Sequence, residues 1–307
     1  MRDCGTFASP FPPSVRTVGI CALCGVADRE RAAQGVARLE SWALNVRMDA
    51  LADAPERFLA ADDTTRARRF NELVRVPEVD LILAARGGYG SARVLDLIDW
   101  EALRERRIPV VGYSDMTAFH LAAFGKGIAT GVSGPMLAGY FARSADSAEE
   151  ICGLRTVFSS LADVLGEVPT RVSLRSLRSG IARGPLVPAN LAILCSLVGT
   201  DHLPSLRGCI LALEDINEAA YRIDRFLNQL LQAGVLETLG GLVFGQFTDC
   251  EDAEFIPAVL ADFARHVSGP VAAGLPFGHG FPSLSLPVGP NARLAVDDDK
   301  AVLEIRA

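Results

Sequence analysis

The amino-acid sequence predicts an α/β protein in two parts: an N-terminal parallel-sheet α/β domain carrying a nucleophile turn, and a second, C-terminal α/β domain with some antiparallel strands. Three observations predict it. Through the first half, short apolar or β-branched runs alternate with segments of helical apolar spacing, the order that builds parallel sheets. At 307 residues, 50% of them hydrophobic, the chain exceeds one typical core and has apolar material for two. Near its end, residues 293–297 and 301–305 flank the polar stretch Asp297–Lys300 in the manner of an antiparallel hairpin. The pattern breaks into short polar and β-branched pieces between Gly166 and Gly184, which places the boundary there. The expected division is 1–165 for the nucleophile domain, 166–179 for a linker and 180–307 for the C-terminal domain.

Taken in order, residues 1–16 hold Pro10, Pro12 and Pro13 and are expected to be irregular. Val15 to Ala22 reads as a first strand, and Asp28 to Trp42 as a helix with Ala32, Val36 and Leu39 on one face. Thr64 to Val74 reads as a helix with Asp62 and Asp63 as cap candidates and Pro77 as a stop. Val79 to Ala85 is the next strand, and it ends in Arg86-Gly87-Gly88-Tyr89-Gly90 before a helical Ala92 to Ile98. Ile108 to Val111 is another strand, running through Gly112 and Tyr113 to Ser114, with a helix from Thr117 to Phe124. A short strand and glycine-rich connections precede a helix from Ser147 to Leu161. In the second half, Asn190 to Val198 reads as a helix, and Gly208 to Leu213 as a buried strand running into Glu214, Asp215 and Glu218. Asp215 and Glu218 have cap spacing for a helix from Tyr221 to Ala233. A strand at Gly241 to Gln246, a helix at Ala253 to His266 and a loop rich in Pro and Gly around His279 complete the order.

A serine on a strand–turn–helix junction is pushed out at the top of a sheet, with free helix-start N–H groups beside it. Ser114 sits on such a turn, where it can act as a nucleophile or simply cap the helix. Met116 stands where the common Gly-x-Ser-x-Gly pattern has its second glycine. Gly87, Gly88 and Gly90 end the preceding strand, so in a parallel sheet they share the carboxyl edge with Ser114. Glycines there serve tight turns or let backbone approach a ligand. Of the four histidines, His120 lies mid-helix in an apolar pattern, His202 in a turn and His266 at a helix end. His279, between two glycines, is free to meet a ligand and is the candidate general base. Glu214 ends a buried strand and is the carboxylate left to orient it. Backbone N–H groups of Asp115 and of Gly87 or Gly88 are candidates for an oxyanion hole.

Composition narrows the function classes. Net charge is -7 with both signs interspersed, so no nucleic-acid footprint is visible. No apolar span of roughly 18 residues and no secretory pattern near Met1 is present, so no membrane contact and a cytoplasmic location are expected. Seven cysteines in apolar contexts read as reduced thiols. Cys21 and Cys24 have redox spacing but no second pair and no neighbouring histidine, so neither a metal nor a cofactor is expected. The glycine turn fits neither a phosphate loop nor a dinucleotide fingerprint.

Four stretches in order resemble the LD-carboxypeptidase family of serine peptidases, which also contains the microcin C immunity peptidases. They are Ala85–Arg93, Val111–Ala118, Leu213–Glu218 with Tyr221–Arg225, and Gly274–Gly280. The resemblance implies a catalytic triad of Ser114, Glu214 and His279, and an oxyanion hole from the amides of Asp115, Gly87 and Gly88. It also implies a homodimer without metal or cofactor that releases the terminal D-alanine from muropeptide tetrapeptides in cell-wall recycling. Arg86 and Tyr89, beside the glycine turn, are candidates for binding the peptide substrate. The alternatives are a microcin C-type peptidase acting on a peptidyl or aminoacyl nucleotide amide, and a non-catalytic small-ligand-binding protein of the same fold. The chain departs from the family pattern at Pro188-Ala189-Asn190 and Ser133-Gly-Pro-Met136, positions that bear on the substrate rather than the reaction.

Overall fold

The computed structural model describes residues 7–48 and 55–306. The chain divides into two compact units, Met1–Gly166 with Leu284–Leu286, and Glu167–Ser283 with Pro287–Ala307.

The first unit follows the alternation of its sequence. Its elements are β1 (Thr17–Cys21), α1 (Arg29–Ser41), β2 (Asn45–Met48), α2 (Asp63–Arg75), β3 (Leu81–Ala84), α3 (Trp100–Arg106), β4 (Val110–Val111), α4 (Thr117–Gly125), β5 (Gly131–Ser133) and α5 (Ala148–Leu165). Caps mark three helices where the sequence placed them. Asp28 accepts from the Arg31 N–H at α1, and Asp62 from the Thr65 N–H at α2. Ser147 and Glu150 form a reciprocal capping box at α5. Strands β2, β1, β3, β4 and β5 lie side by side in one sheet, with β1–β2, β1–β3, β3–β4 and β4–β5 all parallel. β3, β4 and β5 are wholly buried, as parallel strands covered on both faces must be. The segment expected as a helix at Ala92 to Ile98 is a tighter 3-10 turn, Ser91–Leu97.

The second unit is built from β6 (Thr170–Arg178), β7 (Gly180–Asn190), α6 (Leu191–Ser196), β8 (Ile210–Ile216), α7 (Ala220–Gln232), α8 (Val235–Thr238), β9 (Gly241–Thr248), α9 (Ile256–Ala264), β10 (Val271–Ala273), β11 (Leu286–Pro287), β12 (Asn291–Val296) and β13 (Ala301–Ile305). β11 is the exception, lying beside β5 at the edge of the first unit's sheet. The others close into a barrel in the order β10-β6-β13-β12-β7-β8-β9. β7, β8, β9 and β10 pair in parallel, and the remaining contacts are antiparallel. Closure leaves no open edge.

Residues 166–179, expected as a linker, instead contribute β6 to this barrel. Their burial alternates between half-buried and exposed, so the strand shows no apolar run that would announce it. The expected hairpin is present as β12 and β13, joined through Asp297, whose carboxylate accepts from the Lys300 N–H at 2.6 Å.

Candidate active site

In the first unit, register puts the ends of β3 and β4 side by side, with Leu83 opposite Val111. The glycine turn and the Ser114 turn therefore leave neighbouring strands at the same edge. Ser114 is half-buried and has φ 63°, in the left-handed region that a non-glycine residue occupies only at a cost. A 3-10 turn, Ser114–Met116, leads directly into α4. Gly112 makes the bend possible, because a Cβ there would lie 2.9 Å from both Ala84 Cβ and Met116 Cγ. Gly87 backs onto the serine: a Cβ would meet Ser114 Cβ at 2.9 Å and Oγ at 3.1 Å, with the Asp115 nitrogen at 3.6 Å. Gly88 and Gly90 have φ 105° and 128°, conformations that favour glycine.

His120 is buried in α4, its Nε2 2.8 Å from the Gly112 carbonyl. Burial lowers its pKa to about 4. It therefore stays neutral, a packing residue at the base of the turn.

Arg86 and Tyr89 line a cleft of about 590 Å³ with Gly25, Val26, Arg57, Phe58 and Gly88. Phe58 and Tyr89 are 57% and 48% exposed and meet edge to face at 5.6 Å. Arg86 donates to the carbonyls of Val26 at 2.9 Å and of its neighbour Gly87 at 3.2 Å. Among the described residues no carboxylate pairs with it.

In the second unit, Glu214 and Asp215 are internal to β8 rather than beyond its end. Glu214 is 1% exposed, and its Oε2 lies 2.7 Å from His279 Nδ1. Its Oε1 accepts from Asn190 Nδ2 at 3.1 Å, so both carboxylate oxygens are held. Asn190 stands opposite Glu214 in the β7–β8 register and also caps α6 through its Oδ1. Gly278, with φ 136°, lets the histidine loop approach: a Cβ there would be 2.9 Å from Glu214 Oε2. A carboxylate on Nδ1 fixes the ring orientation and leaves proton exchange to Nε2.

Asp215 does not cap α7. That helix starts at Ala220 after an Ala219 cap with no side-chain bond. Asp215 instead accepts from Asn190 Nδ2 at 2.9 Å and from the Ala192 N–H at 3.0 Å. Burial raises its pKa to about 6, with the Glu214 charge adding to the rise. Glu218 pairs with Arg222 one helical turn on.

Sequence reasoning singled out Ser114, Glu214 and His279, named Asn190 only within the Pro188-Ala189-Asn190 stretch and not as a partner of Glu214, and did not name Arg57 and Phe58, which line the cleft. For Asn190 the available signal was an amide ending one strand beside the carboxylate of the next. Pro188 and Ala189 precede it within β7, and Ser133 is buried at the end of β5. Among the described residues, no group of three or more His, Cys, Asp or Glu is placed to hold a metal, and no helix is long and apolar enough to cross a membrane.

Ser114 thus lies on the turn after β4 of the first unit, and the buried Glu214–His279 pair belongs to the second. The chain is a member of the LD-carboxypeptidase family. Residues 18–134 match the profile of the LD-carboxypeptidase N-terminal domain, and residues 183–294 that of the C-terminal domain. A Streptomyces coelicolor protein designated a carboxypeptidase by inference is 37% identical over 94% of this chain and 93% of its own length. The murein tetrapeptide carboxypeptidase of Pseudomonas aeruginosa is 29% identical over 84% of this chain and 86% of its own. Among solved structures, muramoyltetrapeptide carboxypeptidase from Oxalobacter formigenes matches with TM-score 0.85 and 30% identity, covering 95% of this chain and 99% of that one. The microcin C7 self-immunity protein shares the fold, with TM-score 0.86 and 21% identity over 98% of each chain.

Proposed function

We propose that the protein is an LD-carboxypeptidase that hydrolyses the bond to the terminal D-alanine of muropeptide tetrapeptides, using Ser114, His279 and Glu214. The observation that carries this reading is the buried 2.7 Å contact between His279 Nδ1 and Glu214 Oε2. It presets the tautomer that a general base needs, and in water-poor surroundings its charge stabilises the imidazolium that forms. Ser114 Oγ attacks the scissile carbonyl carbon while His279 Nε2 takes its proton. The amides of Asp115, Gly87 and Gly88 receive the developing oxyanion. The tetrahedral intermediate collapses, the C–N bond breaks, and His279 returns the proton to the departing amine. Water, deprotonated by His279, then cleaves the acyl-enzyme and restores Ser114. The free carboxylate of the substrate pairs with Arg86, whose charge meets only carbonyls in the described residues, and its apolar part packs against Tyr89. A homodimer and a cytoplasmic site of action accompany this reading, supported by the family resemblance.

The test is Ser114→Ala with two substrates, a muropeptide tetrapeptide and an acyl-sulfamoyl adenylate, followed by mass spectrometry. The wild type is expected to remove one alanine from the tetrapeptide, and the variant to lose that activity by at least about 10³-fold. Full activity in the variant overturns the role of Ser114. Turnover of the adenylate in place of the tetrapeptide transfers the site to the microcin type.

A further inference from the structure

Beside the Ser114 turn, the first unit buries two opposite charges that the reaction itself does not call for. Arg66, on α2, and Asp115, directly after the serine, are each 2% exposed. A buried ion costs several kcal/mol unless its hydrogen-bonding groups are all met. Arg66 meets that condition through three backbone carbonyls and one carboxylate: Nε donates to the Ala61 carbonyl at 3.1 Å, Nη1 to the Gly90 carbonyl at 3.0 Å and to the Leu23 carbonyl, and Nη2 to the Asp63 Oδ1. Asp115 Oδ2 accepts from the Ser91 N–H at 2.8 Å, and its own carbonyl accepts from the Ser91 hydroxyl at 2.5 Å.

The Gly90 carbonyl and the Ser91 N–H belong to one peptide group. A guanidinium therefore grips its oxygen and a carboxylate its hydrogen. Each charge polarises the amide in the direction that strengthens the other's bond. That peptide closes the glycine turn, and Asp115 opens the helix after Ser114. The clamp thus links the two turns whose amides the proposed oxyanion hole uses. Gly90 fits it by lacking a Cβ, which would stand 2.9 Å from Arg66 Nη1 and 2.6 Å from Leu59 Cδ2.

We infer that Arg66 and the side chain of Asp115 are positioning residues, which hold the Gly90–Ser91 peptide between them and so fix the spacing of the Gly87, Gly88 and Asp115 amides around Ser114. The inference rests on the peptidase reading for its consequence in catalysis. A donor displaced from an oxyanion costs rate in the transition state and little in ground-state binding.

The test compares Asp115→Ala, Asp115→Asn and Arg66→Lys with the wild-type protein, counting competent sites by a fluorophosphonate that labels Ser114. Per labelled site, Asp115→Ala is expected to lower kcat by about 10- to 100-fold with KM within about 3-fold. Asp115→Asn, which keeps an acceptor for the Ser91 N–H, is expected to recover most of that loss, and Arg66→Lys to lower kcat by about 10-fold. Wild-type kcat per labelled site in Asp115→Ala, with only the number of labelled sites reduced, overturns the inference. Amide hydrogen exchange, read without any substrate, separates this from a failure of the peptidase reading. If the wild type neither labels nor turns over, the peptidase reading has failed. The clamp still predicts exchange at Gly87, Gly88 and Ser91 about 10-fold faster in Asp115→Ala, and unchanged exchange overturns it.

Discussion

At the scale of single residues, close approach and strain accompany the proposed chemistry. Ser114 holds a left-handed backbone that costs of the order of 1–3 kcal/mol, and the glycines around it leave the space it occupies. Gly87→Ala inserts a methyl within 2.9 Å of Ser114 Cβ, so it is expected to lower kcat by at least about 10-fold while the far-UV circular dichroism is retained. In the second unit, Glu214→Gln keeps the shape but leaves one acceptor oxygen for two donors, His279 Nδ1–H and Asn190 Nδ2, and removes the negative charge beside the ring. Its kcat is expected to fall by about 10³- to 10⁴-fold, checked against an unchanged thermal transition. Ser114, His279 and Glu214 stood out in the sequence because each carries a local mark: a strand–helix turn, glycines on both sides, and a carboxylate following an apolar run, although Glu214 lies inside β8 rather than at its end. Arg66 had no such mark. It lies among Thr64, Arg68 and Arg69 on a charged helix, and only the fold shows that its side chain turns inward.

At the scale of elements, local signals held where the local chain decides the outcome. Asp28, Asp62 and Ser147 each cap the helix that their sequence context predicted, because the cap is a contact within three residues. Ser147→Ala is expected to destabilise the first unit by about 1 kcal/mol, a lowering of roughly 2–4 °C in its melting temperature by calorimetry. Where partners are distant, the sequence was silent. β6 pairs with β13 and β10, more than a hundred and nearly a hundred residues away in the chain. Nothing in an alternating polar strand names those partners, and so it read as a linker. Asp215 had the spacing of a cap for α7, yet cross-strand packing beside Asn190 gives it a different role. Tertiary context overrode a sound local rule.

At the scale of the whole molecule, the two units are expected to answer acid in opposite directions. His120 in the first has its pKa lowered to about 4 from an ordinary 6.5. Between those values the unfolded chain binds a proton that the folded unit refuses, so stability is present above pH 6.5 and is lost as pH falls toward 4. Asp215 in the second has its pKa raised to about 6 from 3.8. There the folded unit holds the extra proton, so its stability is greatest below about pH 4 and declines as pH rises through 6. Each contribution is of the order of 3 kcal/mol. Both tryptophans, Trp42 and Trp100, lie in the first unit. Tryptophan fluorescence should therefore melt earlier at pH 4.5 than at pH 6.5. His120→Gln should remove most of that difference, and Asp215→Asn should leave it intact while flattening the response of the second unit to pH.

The strand Leu286–Pro287 borders β5 in the first unit's sheet, although the barrel intervenes between them in the chain. During synthesis, then, the unit that leaves the ribosome first is completed only after most of the barrel has followed it. Its sheet waits, one edge bare, while five of the barrel's seven strands are translated. A message truncated after residue 166 would direct a first unit that can never seal that edge. An uncovered strand of this kind invites pairing with other chains, so the order of translation itself gives the nascent protein a window of vulnerability that closes only once Leu286–Pro287 emerge.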